Sequence, residues 1–142
     1  ALGASAIVEA VAMLAQGQAI QEPQASSGAT YAQKIGKGDQ ELDWRRSSHE
    51  LERQVRALTP APGARTGWNG EMLKVWSARC VRGQGAPGTV LDAIAEGIVV
   101  ACGEGALCIT SLQRAGGTRV GVPEFLRGNA VARGDRLDFA SR

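Results

Sequence analysis

The first 17 residues, ALGASAIVEAVAMLAQG, place apolar side chains at Leu2, Ile7, Val8, Val11 and Leu14. That three- and four-residue spacing predicts a helix with one apolar face, and Gly17 supplies its C-terminal stop. The next segment, QAIQEPQASSGA, is polar and holds Pro23, Ser26, Ser27 and Gly28, the composition of a linker. A helix running straight into a linker implies that its apolar face belongs against an earlier domain. The chain opens on Ala1 inside that helical pattern and so reads as a fragment. The expected organisation is a helix at 1–17, a linker at 18–33 and one domain at 34–142.

Within that domain the period changes once. In ELDWRRSSHELERQVRALTPAPG, Trp44, Leu51, Val55 and Leu58 fall on one stripe. This predicts a second helix, with Asp43 as its cap and Pro60 and Pro62 beyond its end. Arg45, His49, Glu52 or Arg53, and Arg56 form another face. From Gly63 onward apolar residues alternate. Asn69-Gly70 predicts a hairpin between RTGW and EMLKVWSARCV. TVLDAI, GIVVAC and ALCITSL read as further strands, VPEFLRG as a short helix opened by Pro123, and DRLDF as a last strand. The fold class predicted is mainly β: a small open Greek-key barrel with an N-terminal helix and short helical turns. The 19 glycines agree with many turns, and 142 residues suffice for one such domain without disulfides.

Charge changes the picture only when divided. Residues 1–30 carry Glu9 and Glu22 and no Lys or Arg, whereas 31–142 hold 16 basic and 12 acidic residues, a net +4. The cations are mostly arginine, whose planar fork suits phosphate, although an ordinary solvated surface has the same composition. There is no basic leader and no apolar run of about 18 residues, so neither secretion nor membrane insertion is expected. Three cysteines, an odd number, fit a reducing cytoplasm.

The stretch CGEGALCITSLQRAGGTR at 102–119 concentrates the candidate chemistry. Cys102 and Cys108 form no CxxC, and the one histidine, His49, lies on the distant helix, so no metal site is expected. Gly103 and Gly105 lead into a strand and not a helix, which removes the dinucleotide fingerprint. They are read instead as a hairpin loop at 103–105, with Cys102 opposite Ala106 and Cys108 opposite Val100. Asp39, Glu41 and Asp43 alternate without a sign of burial and are assigned to capping and solubility. The remaining candidates face phosphate: Lys34 and Lys37 beside glycines at the linker exit, Arg45, Arg114 and Arg119 around Gly116-Gly117, and Arg127. Scattered cations with few aromatics favour recognition of a folded nucleic acid by backbone and shape.

The order of ATYAQKIGKGDQELDW, LERQVRALTPAPGA, GEMLKVWSA, GAPGTVL, GIVVACGEGALCITSLQRAGGTR and EFLRGN resembles the C-terminal part of the methionyl-tRNA formyltransferase family. The resemblance implies an OB-fold-like, tRNA-binding domain at 34–142, with 1–17 as the last helix of an absent catalytic domain. It implies a full enzyme that transfers formyl from 10-formyltetrahydrofolate to the amino group of initiator methionyl-tRNA in the cytoplasm. The folate site and the catalytic residues of that family belong to its N-terminal domain, so this fragment is expected to bind no cofactor and to be inactive alone. The resemblance implies that Lys34 and Lys37 match the family's basic linker and Arg114 and Arg119 its cationic loop, and Arg45 and Arg127 are added to these as expected tRNA-binding residues. Where the family commonly has LQPAGKK, this sequence has LQRAGGT. Two other readings stand beside it: the C-terminal domain of a formyltransferase acting on an amino sugar, and a purely structural domain that orients the catalytic one.

Overall fold

The structure, a computed structural model, describes residues 2–20, 22–23 and 25–138. The chain divides into two compact units, Ala1–Lys34 and Ile35–Arg142. In the first, helix α1 spans Leu2–Ala15. Gly17 closes it at φ 67°, and Gln18 N–H donates to the Met13 carbonyl at 2.9 Å, the left-handed stop that glycine permits. Ile7, Val8, Val11 and Leu14 are exposed along one stripe. No helix among the described residues is long and apolar enough to cross a membrane.

The second unit is mainly β. Its strands are β1 (Ala64–Trp68), β2 (Glu71–Val81), β3 (Val90–Ile94), β4 (Gly97–Ala101), β5 (Ala106–Arg114) and β6 (Val120–Gly121). All pairs are antiparallel, in the order β1-β2-β5-β4-β3. On its far side β5 pairs first with β4 and then, over Ser111–Leu112, with β6. β1 and β3 end the path, so this is the open antiparallel sheet that the alternation predicts. Asn69 at φ 50° and Gly70 at φ 78° make the tight β1–β2 turn, the conformation Asn-Gly selects. Bulges at Val75/Ser77 and Ser77/Ala78 bend the long strand β2.

Helices α2 (Ser48–Ala57) and α3 (Val122–Gly128) cover the sheet. Trp44, Leu51, Val55 and Leu58 are all buried, with Val75, Val100, Leu107 and Leu112 from the strands. Trp44 Nε1 donates to Thr66 Oγ1 at 3.0 Å, which satisfies two polar groups inside this core. Trp68 packs edge-on to Phe125 at 5.9 Å and donates to Asp135 Oδ2.

Three expectations are corrected. Helix α2 is capped by Ser47 and not by Asp43. The Ser47 hydroxyl accepts from Glu50 N–H while the Glu50 carboxylate accepts from Ser47 N–H, a reciprocal capping box. Asp43 instead closes the preceding turn on Arg45, and Trp44 joins the core from that turn. The β4–β5 loop is one residue longer than read: Ala101 faces Ala106 and Cys108 faces Val99. Cys102 closes the loop by donating its N–H to the Gly105 carbonyl at 3.0 Å. In the last segment Arg136 makes only an isolated bridge to Thr89, because residues 134–137 interleave with Gly88 and Val90 through single bonds. Phe139 lies outside the described residues.

Candidate nucleic-acid interface

On β2, Leu73 and Val75 point into the core, which turns Lys74 and Trp76 to the opposite face. Across the sheet, Lys74 faces Arg65 on β1 and Gln113 on β5. The Arg65 guanidinium donates to the Lys37 carbonyl at 2.8 Å and to Glu41 Oε1 at 3.1 Å, fastening the segment before α2 to this edge. At the other end, Arg119 donates Nε to Ser111 Oγ at 3.1 Å. Lys74 Nζ lies 5.5 Å and Arg119 Cζ 5.7 Å from the centroid of the Trp76 ring. Basic side chains on β1, on β2 and just before β6 thus form a band, with an indole in its middle.

The six sequence-predicted residues separate by environment. Arg119 belongs to this band, while Lys37 meets it through its backbone carbonyl. Arg114 ends β5 and is held by Glu71 at 2.6–2.9 Å and by Asn129 Oδ1 at 3.2 Å. Arg45 is clamped by both oxygens of Asp43 at 2.8 and 2.9 Å. That hydrogen bond holds the Asp43 carboxyl below its ordinary range and raises the guanidinium. Arg127 is exposed in the last turn of α3, and Lys34 is exposed in the first unit. Sequence reasoning missed Lys74 and Trp76. The in–out alternation of LKVW was the available signal, since it sends both side chains to one face.

Cys102 and Cys108 are buried, and burial pushes the Cys102 thiol up to about 11 and raises that of Cys108. Cys80 is half-buried, with its sulfur 3.5 Å from His49 Nδ1. Among the described residues no three His, Cys, Asp or Glu side chains sit together as metal ligands. A surface depression of about 550 Å³ contains Asp43, Arg45, Arg136 and Asp138. Its arginines are already paired with its own carboxylates.

Residues 34–130 match the model of the formyl transferase C-terminal domain. The chain belongs to this family. A methionyl-tRNA formyltransferase of Dechloromonas aromatica is 46% identical over 138 residues, covering 97% of this chain and 44% of that protein. One from Aromatoleum aromaticum is 47% identical over 142 residues, all of this chain and 45% of the relative. One from Paraburkholderia phytofirmans is 50% identical over 141 residues, 96% of this chain and 43% of the relative. The chain therefore spans less than half the length of these curated relatives. Crystal structures of HypX from Aquifex aeolicus share its fold. A variant superposes with a TM-score of 0.68 at 23% identity, over 89% of this chain and 24% of that one. The complex with tetrahydrofolic acid has a TM-score of 0.68 at 22% identity, over 84% and 22%.

Proposed function

We propose that this chain is the tRNA-holding C-terminal domain of a methionyl-tRNA formyltransferase. The full-length protein moves a formyl group from 10-formyltetrahydrofolate to the amino group of initiator methionyl-tRNA, in the cytoplasm where translation starts. The observation that carries this reading is identity of about one residue in two to methionyl-tRNA formyltransferases along nearly the whole chain. The surface chemistry agrees with a holding role. The sheet presents Lys74 and Arg119 together beside the Trp76 ring. The folate donor and the catalytic residues are assigned to the remainder of the protein, against which the exposed apolar stripe of α1 packs. Lys34, Lys37, Arg119 and Arg127 contact tRNA phosphates, while Arg45 and Arg114 would first have to exchange their carboxylate partners.

Two measurements test this. The full-length protein formylates methionyl-tRNA with 10-formyltetrahydrofolate, and the 142-residue chain alone does not. The full-length protein binds initiator tRNA with an affinity that falls steeply as salt rises, because cations on phosphates release counterions. Turnover of an amino sugar in place of methionyl-tRNA would sink the assignment. Salt-independent tRNA binding would leave the domain a purely structural part.

A further inference from the structure

We infer that Lys74 and Arg119, held in place by Trp76, form a clamp for one stretch of RNA backbone phosphate. Trp76 acts as the positioning residue. This rests on the reading that the domain holds tRNA, and it names the part of the sheet that does so.

The indole is fixed on several sides. Its Nε1 donates to Gln113 Oε1 at 2.9 Å, and Gln113 in turn donates Nε2 to the Gly117 carbonyl at 2.6 Å. The benzo edge lies against Gly63, where a Cβ would come within 2.9 Å of the ring. The Trp76 carbonyl accepts from Thr59 Oγ1 at 2.9 Å. A ring held in this way keeps the cations beside it in a narrow range of positions, because its electron-rich face attracts positive charge.

Those cations remain free to bind. Arg45, Arg46, Arg56, Arg65, Arg114 and Arg136 each pair with a carboxylate. Among the described residues neither Lys74 nor Arg119 does. The acid in the depression beside Trp76, Glu52, is occupied by Arg56 at 3.0 and 3.1 Å. Arg119 spends only Nε on Ser111. The terminal guanidinium nitrogens and the ammonium of Lys74 are left as donors, the set that oxyanions of a phosphodiester accept. Lys74 and Arg119 are already gathered at the ring, so binding loses little side-chain freedom. A planar base is the poorer occupant, since the cations and Gly63 already lie against the indole.

The test is equilibrium binding of initiator tRNA to the full-length protein across a salt series. Lys74→Gln and Arg119→Gln each weaken binding about two- to fivefold at low salt. Each also makes the dependence of log K on log salt shallower by roughly 0.7–0.9, one phosphate contact apiece. Trp76→Leu weakens binding by a similar factor but keeps the wild-type slope, because both charges remain and only their placement is lost. Trp76→Phe, which retains an electron-rich face, restores part of the affinity. In the Lys74→Gln, Arg119→Gln background, Trp76→Leu has no further effect. Wild-type slopes in both charge variants overturn the clamp, and so does wild-type affinity in a folded Trp76→Leu protein. If thermal melting shows Trp76→Leu unfolded, the charge variants decide alone. A wild-type protein that binds no tRNA overturns the tRNA reading together with the clamp. A wild type that binds, with variants that match it, overturns the clamp only.

Discussion

Gly103 shows how one missing Cβ fixes a contact between distant parts of the chain. Its N–H is shared between the carbonyls of Trp44 at 2.8 Å and Arg46 at 2.9 Å, so its backbone lies directly on the turn before α2. A Cβ there would overlap the Arg45 carbonyl, a backbone atom that cannot swing aside. Gly116 is the useful contrast. It sits at φ 72°, but nothing lies within 4 Å of where its Cβ would be. Gly103→Ala is therefore expected to cost at least about 2 kcal/mol, from overpacking. Gly116→Ala is expected to cost about 1 kcal/mol, from left-handed strain alone. Denaturant unfolding of the two variants measures both; equal losses would contradict the wedge.

At the scale of the element, α2 depends on its first turn. Ser47 and Glu50 satisfy each other's backbone N–H, and the Ser47 hydroxyl also donates to Glu50 Oε2 at 2.8 Å. Arg46 adds an ion pair to Glu50 at 3.0 Å. The Ser47 hydroxyl foremost, then Arg46, lower the Glu50 carboxyl to about 2. The folded protein thus holds that proton less tightly than the unfolded chain. The stability this contributes is fully present above about pH 4.5, the ordinary glutamate value, and is lost as pH falls toward 2. Ser47→Ala is expected to cost about 1 kcal/mol near neutral pH. Glu50→Gln should lower stability above about pH 4.5, where the carboxylate contributes, and flatten the fall between pH 4.5 and 2. Thermal melts of wild type and both variants at stepped pH give the answer. An unchanged acid slope in Glu50→Gln would show that the carboxylate does not carry it.

For the molecule as a whole, what was legible in the sequence was whatever short-range period controls. The stripe Trp44, Leu51, Val55 and Leu58 is buried as its spacing demands, and Asn69-Gly70 makes the turn its backbone prefers. The cap was misplaced although Ser47-Ser48-His49-Glu50 spells a capping box. Trp44 extended the apolar stripe one turn too far, and it packs from a turn instead of a helix. The β4–β5 register slipped by one because the loop is set by what it touches, the segment before α2, and not by its own glycines. The Trp76 site was illegible for a related reason. Alternation turns Lys74 and Trp76 outward, but only the pairing of β2 with β5 brings Gln113 and Arg119 to them.

The docking of the 102–105 loop also couples two elements far apart in the chain. Ser48 N–H donates to the Glu104 carbonyl at 2.9 Å, so the orphan donors at the start of α2 are met partly by the β4–β5 turn. That donor finds its partner only when a turn far along the chain is in place, so the helix start and the turn support each other. In native-state hydrogen exchange, the amides of Ser48 and Gly103 should open with one free energy, as a single cooperative unit. Two distinct values would mean that the helix start forms by itself. The glycine loop that resembles a phosphate cradle is then a latch, closing helix and hairpin in one step.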